Sequence, residues 1–483
     1  GTPETARRLF EAAIGARRDD PAVWKRYLAF LTRSGAAAEA AGLLSDAAAA
    51  CPNEPVFAQL AEHQALLGAV ANRAIAQPLI AAAIEAPGRH DTTIDALNVI
   101  ANTAENDPER LALQLRQLTE RHPDFLALKM QLVRLYASID RHDDAAKIAA
   151  QAMRDFPAEY EPAWLAAEAY AAAGQWMESL RAAENWRNRV LGRAEGADLL
   201  IAEAQIRLGE SSRALETLRP YVDSPGDTAQ AAYSPALVQQ ARALITAGQP
   251  AEAAALLQPR LTASADSDDA RKAATQWRMA WVRLAASEIK DDTTAAEWLL
   301  QVTPHIPDAE PGERLMLASG WYALANRNAA PDNPSRQSAR ATLDALAARP
   351  AADAKLFFDL AVVADLGKDY AQAETWYLRA LDADPALAVA RNNLAMRYVL
   401  EERRLDDALK LAREAVQAEP ENASYHDTLA QVQAALGNYD DAIQSLTRAA
   451  ELQPGQRKWR DNIEVIRQRQ QQTTSETGKS GPA

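Results

Sequence analysis

Three segments of the chain restate one helix end: TWYLRALDADP at 375–385, KLAREAVQAEP at 410–420 and QSLTRAAELQP at 444–454. Their starts are 35 and then 34 residues apart, which is the length of one helix–turn–helix hairpin. A period of this kind constrains the fold more than any composition figure. One hairpin cannot bury its apolar flank alone, so such units must stack on their neighbours, and the molecule grows lengthwise instead of around a single centre.

The marks inside each unit follow helical spacing. In ADAKLFFDLAVVADLGKDYAQAETWYLRALDADP, 352–385, they are Leu360, Ala361, Tyr370, Ala373, Tyr377, Ala380 and Pro385. The next unit gives Leu394, Ala395, Tyr398, Ala408, Ala412, Ala415 and Pro420, with one additional residue in its turn, LEERRLDD. The third gives Leu429, Ala430, Gly437, Tyr439, Ala442, Leu446, Ala449 and Pro454. An alanine, a large residue four later and an alanine three after that share one helix face. The small residues let backbones approach, the large ones fill the layer between units, and proline stops the second helix.

This pattern resembles the tetratricopeptide repeat (TPR) family. The resemblance implies an all-α, right-handed α-solenoid of stacked helix-turn-helix repeats. Earlier units return the marks less completely: Trp24, Tyr27, Leu31, Ala40, Leu44, Ala47 and Pro52, then Leu132, Tyr136, Ala145, Ala149, Ala152 and Pro157. Tyr170, Gly174, Trp176 and Ala183 follow, as do Ala202, Gly209, Ala214 and Leu218, and Ala241, Gly248, Ala253 and Leu257. Only irregular helical pairs are readable over 55–123 and 264–350. Stretches rich in proline, aspartate, asparagine and glycine at 223–235, 303–313 and 326–337 break the period, either as long inter-repeat loops or as hinges between separately rigid segments. The expected organisation is a solenoid segment over 1–223, irregular helical repeats over 224–350 and three well-matched repeats over 351–455. A capping helix over 456–470, with Trp459, Ile463 and Ile466 on one face, then precedes a disordered tail over 471–483.

Charge narrows the partners. Lysine and arginine number 52 against 66 acids, a net −14, so the whole-molecule field disfavours nucleic acid and anionic membrane surfaces. No apolar run reaches the length of a transmembrane helix. The only cysteine, Cys51, excludes an internal disulfide and reads as a small apolar residue at a helix end. Gly1 and Thr2 open the sequence without a methionine, which reads as a processed protein or a piece of a larger one.

Chemistry-bearing motifs fail one by one. GKS at 478–480 has no glycine five residues upstream and so is no phosphate loop. The histidines, His63, His90, His122, His142, His305 and His426, show no metal-ligand spacing, and His426 beside Asp427 is no triad without a positioned nucleophile. SADSDDA at 264–270 lacks the glycine and glutamate of a calcium loop, and Asp268 or Asp269 reads as a helix cap. Trp277 and Trp281, one turn apart, read as a core stripe, with sugar stacking by these, Trp298 and Trp321 the alternative. No enzyme activity, cofactor or metal is expected.

First helices line the concave face of such a solenoid. The resemblance implies partner contacts from Lys355, Phe358 and Val362, from Asn392, Asn393 and Met396, and from Asp427, Thr428 and Gln431. An asparagine at 393 either holds an extended peptide backbone through both amide atoms or makes an inter-helix hydrogen bond. The family's clamp for acidic C-termini is lost, since Phe358, Val362, Ser424 and Thr428 stand beside Asn393 where lysines and an arginine are required. The expected function is a non-catalytic scaffold binding a peptide or protein partner, with a glycan left open. Alternatives are an accessory protein of envelope polysaccharide or protein export, or the regulatory array of a larger enzyme. The alanine and arginine bias reads as bacterial, cytoplasmic or periplasmic.

Overall fold

The computed structural model describes residues 3–33, 37–52, 66, 69–70, 91–103, 107–189, 194–222, 233–261, 267–307, 311–328, 330, 333–350, 352–453 and 457–479. Among these, all regular structure is helical: 24 α-helices and one short 3₁₀ turn, with no strand. No described helix is long and apolar enough to cross a membrane. Parts of the expected irregular pairs (53–65, 71–90), the 223–232 loop, Pro454, His63 and His90 lie outside the described residues.

The chain divides into two compact units, Gly1–Leu191 and Gly192–Ala483. In the first, Leu126–Ser138 pairs with His142–Asp155 and Glu161–Ala172 with Trp176–Arg189, and the two first helices also touch. Nearer its start, Trp24, Tyr27, Leu31, Leu44 and Ala47 form a buried cluster that takes in Cys51, just past the helix Ala37–Ala50.

The second unit continues with hairpins from Glu195–Arg207 and Ser211–Val222 to Ala423–Ala435 and Tyr439–Leu452, then the helix Arg457–Lys479. Each helix packs on the next, and several first helices touch their successors, so one buried stripe runs from Leu237 to Val432. The two units part at 191–192, ahead of the boundary expected at 223. The reason is apolar continuity: Leu218 shares a buried cluster with Ala236 and Ala243 of the next hairpin.

The connection between the two helices of a repeat has a common form. A residue with left-handed backbone stands at Asp140, Gly174, Gly209, Gly248, Lys368, Glu402 and Gly437. The amide after each one returns to a carbonyl five residues back, as in Asn438 to Gln433 and Asp369 to Ala364. These bonds satisfy helix-end carbonyls that would otherwise be orphaned. The extra residue in LEERRLDD is absorbed by a second left-handed residue, Arg404.

Two local readings change. The helix Asp268–Ser287 is capped by Ser267, whose hydroxyl accepts from Ala270 N at 3.1 Å, and Asp268 and Asp269 fall in its first turn. The final helix also runs past residue 470 to Lys479. Arginine, glutamine and lysine are good helix formers, and extending an existing helix costs far less than starting one, so low apolar content alone does not end it.

The repeat alanines Ala373, Ala380, Ala408, Ala415, Ala442 and Ala449 are all fully buried. Ala373→Leu is expected to lower stability by about 1–3 kcal/mol through overpacking. An unchanged melting temperature would contradict the close crossing at this position.

Candidate partner-binding surface

Three first helices, Ala354–Leu366, Ala388–Leu400 and Ala423–Ala435, carry the residues for which the family resemblance implies partner contacts. Lys355 is exposed and paired with Asp359, one turn on, at 2.6 Å. Phe358 and Val362 are half-buried against the core, with the Phe358 ring 6.1 Å from that of Tyr377. Met396 is half-buried. Asn393 Nδ2 donates to the Tyr377 hydroxyl at 3.5 Å, a long inter-helix bond, and Asn392 Nδ2 donates to Asn393 Oδ1 at 3.2 Å. Asn392 Oδ1 is buried with no hydrogen-bond partner among the described residues. Thr428, one period after Asn393, is buried and so is unavailable to a partner. Its short side chain donates to Ser424 O of its own helix at 3.2 Å instead of reaching outward.

Around the asparagines lies a polar network that spacing did not mark. The Tyr377 hydroxyl donates to Asp365 Oδ2 at 3.4 Å, and Asp365 Oδ1 lies 2.8 Å from Arg397 Nη2. The Arg397 guanidinium sits 4.0 Å from the centre of the Tyr370 ring. Burial pushes the Asp365 carboxyl up despite Arg397, and burial with the nearby Asp365 charge pushes Tyr377 up to about 12.

Asp427 and Gln431 sit elsewhere, in a groove of about 660 Å³. Val399, Glu402 and Leu405 wall it from the preceding repeat, and Asn462, Val465 and Ile466 from the final helix. Asn462 Nδ2 is 3.5 Å from Asp427 Oδ1. Burial raises the Asp427 carboxyl above its ordinary value, opposed by Lys458 and by hydrogen bonds from Gln431 and Asn462. The structure thus splits the expected set: Asn392 and Asn393 join one network, Asp427 and Gln431 another, Lys355 is tied to Asp359, and Phe358 packs.

Spacing also missed the groove's far wall. One signal was present, since Val465 is an apolar residue off the Trp459, Ile463 and Ile466 stripe, and it is 46% exposed.

The other candidates resolve as packing. Trp277, Trp281, Trp298 and Trp321 are all buried, and Trp281 Nε1 donates to Trp298 O at 2.8 Å, so none is open to a sugar ring. His426 Nε2 lies 2.9 Å from the Pro420 carbonyl. Among the described residues no group of histidine, cysteine, aspartate and glutamate is arranged to hold a metal.

Stacked helical hairpins with a capped end and a side-chain-lined groove define a helical-repeat scaffold. Two tetratricopeptide repeat models match the chain, at residues 335–388 and 399–461. Residues 335–388 and 399–461 thus carry tetratricopeptide repeats, and such repeats support a protein-interaction scaffold in general. No curated protein matches it in sequence. Among solved structures it is similar to YrrB, described as a TPR protein with an unusual peptide-binding site, at 16% identity and TM-score 0.27 over 38% of this chain and 91% of that one. It is also similar to yeast Tom70, at 14% identity and TM-score 0.31 over 71% and 72%. Naa15/Naa10 bound to HypK-THB follows at 15% identity and TM-score 0.27, over 79% and 66%.

Proposed function

We propose that the chain docks a segment of a protein partner, without covalent chemistry, along the first helices of its C-terminal repeats. The observation that carries this reading is the groove in which Asp427 and Gln431 meet apolar walls from the neighbouring repeat and the final helix. Its volume falls within the roughly 300–1,000 Å³ of pockets that enclose a ligand.

A photo-crosslinking residue at Val465 is expected to capture the partner, and one at Arg413, exposed on the second helix Leu405–Ala418, is not. Capture at Arg413 alone would move the docking face to the second helices and end this reading. Asn393→Ala is expected to weaken capture about three- to tenfold, near 1 kcal/mol, while the chain stays folded with a small fall in melting temperature from the lost bonds to Tyr377 and Asn392. Equal capture would remove Asn393 from the grip.

A further inference from the structure

Most acids around these first helices already have a cation. Asp359 is paired with Lys355, Asp365 with Arg397, and Glu374 with both Arg403 and Arg404. Glu401 is bonded by Arg403 and Asp407 by Arg404. Two carboxylates differ, and both line the groove. Asp427 has only amide neighbours within hydrogen-bond reach, Gln431 and Asn462, while Lys458 acts on it from farther off, its ammonium set over the Trp459 ring. Glu402, on a left-handed turn residue, is exposed and has no ion pair among the described residues.

Apolar surface flanks these two charges. Val399 and Leu405 stand on one side and Val465 and Ile466 on the other, with Arg469 the single cation among the lining residues. An apolar trough holding two acids, neither of them in an ion pair among the described residues, is complementary to a cation carried between apolar groups. A partly desolvated carboxylate gains more from such a cation than an exposed one does.

We infer that the groove reads a protein segment carrying one basic side chain between apolar neighbours, the basic group pairing with Asp427 and Glu402. This rests on the docking reading above and adds to it the chemistry of the partner. It predicts the opposite charge preference from a clamp for acidic tails.

The test is selection of a random 12-residue peptide display library on the full chain, on Asp427→Asn and Glu402→Gln, and on Asp382→Asn, an exposed change on the helix Tyr370–Ala383, as control. The wild type and the control are expected to enrich peptides with lysine or arginine at one position flanked by leucine, isoleucine or valine. Asp427→Asn is expected to lose that preference. A selected peptide is expected to bind Asp427→Asn at least tenfold more weakly, and replacing its basic residue with glutamine to cost at least tenfold on wild type and clearly less on the variant, where Glu402 alone remains.

Peptides that compete at the groove, being blocked by Val465→Arg, but carry no basic position would overturn this inference and leave the docking reading standing. Selection of no peptide, or only of peptides indifferent to Val465→Arg, would overturn both. Self-association in sedimentation velocity that Asp427→Asn abolishes would place a second copy of the chain in the groove and overturn the inference.

Discussion

Glu313→Ala is expected to lower the stability of the second unit by about 3–5 kcal/mol, read from denaturant unfolding with local hydrogen exchange on the flanking helices. Glu313 belongs to Pro311–Ala325 and faces Arg278 on Asp268–Ser287. Arg278 Nε and Nη2 donate to the two carboxylate oxygens at 2.5 and 2.8 Å, and the Thr275 hydroxyl adds a third bond at 2.8 Å. The two side chains are only 10% and 4% exposed. Alanine removes the carboxylate and leaves a guanidinium buried with no charge partner, and that desolvation dominates the loss. The double change Arg278→Met, Glu313→Leu removes both charges, so it is expected to return to within about 1 kcal/mol of wild type. A loss below about 1 kcal/mol from the single change would mean that water reaches Arg278, contrary to its burial.

That pair shows where sequence reading stops. Periodic alanine and large positions were legible because each belongs to one helix face, and Ala373, Ala408, Ala442, Tyr377 and Leu446 are indeed buried. The left-handed turns were half legible: Gly174, Gly209, Gly248 and Gly437 mark them, whereas Asp140, Lys368 and Glu402 adopt the same backbone without a glycine to announce it. Cross-repeat ion pairs were not legible. Arg278 and Glu313 lie one period apart, yet they fall in the stretch where helix lengths vary, so no register aligned them. Likewise Asn393 was marked by the family resemblance, but its tie to Tyr377 and Asp365 depends on how neighbouring helices cross. The groove needed the final helix as a second wall, and a terminal helix read only as a lid supplies one apolar stripe, not two.

Gly367→Ala is expected to cost about 3 kcal/mol, at the upper end of overpacking effects, with a matching fall in the melting temperature of the second unit. Its backbone is ordinary, with φ −74°, so conformational freedom is not why glycine stands there. Space is the reason. A Cβ at this position would lie 2.4 to 2.7 Å from three ring carbons of Tyr322, closer than any carbon contact tolerates. The ring cannot yield easily: Tyr322 is 1% exposed, and its hydroxyl donates to Asp369 Oδ2 at 3.1 Å. Asp369 is itself gripped by Arg340 Nε and Nη2 at 2.6 and 2.8 Å. Burial pushes the Asp369 carboxyl up, but Arg340 and Tyr322 together hold it below the ordinary carboxylate value. Arg336 closes the other side, its guanidinium 5.8 Å from the Tyr322 ring centre and its Nη1 donating to the Gly367 carbonyl at 3.2 Å. A methyl group must therefore displace a ring fixed at its tip and covered on its face. Tyr322→Ala in the same chain removes the Cγ and both Cδ atoms that collide, so the added cost of Gly367→Ala should shrink below about 1 kcal/mol there. An equal cost in both backgrounds would show that the glycine answers to something other than this ring.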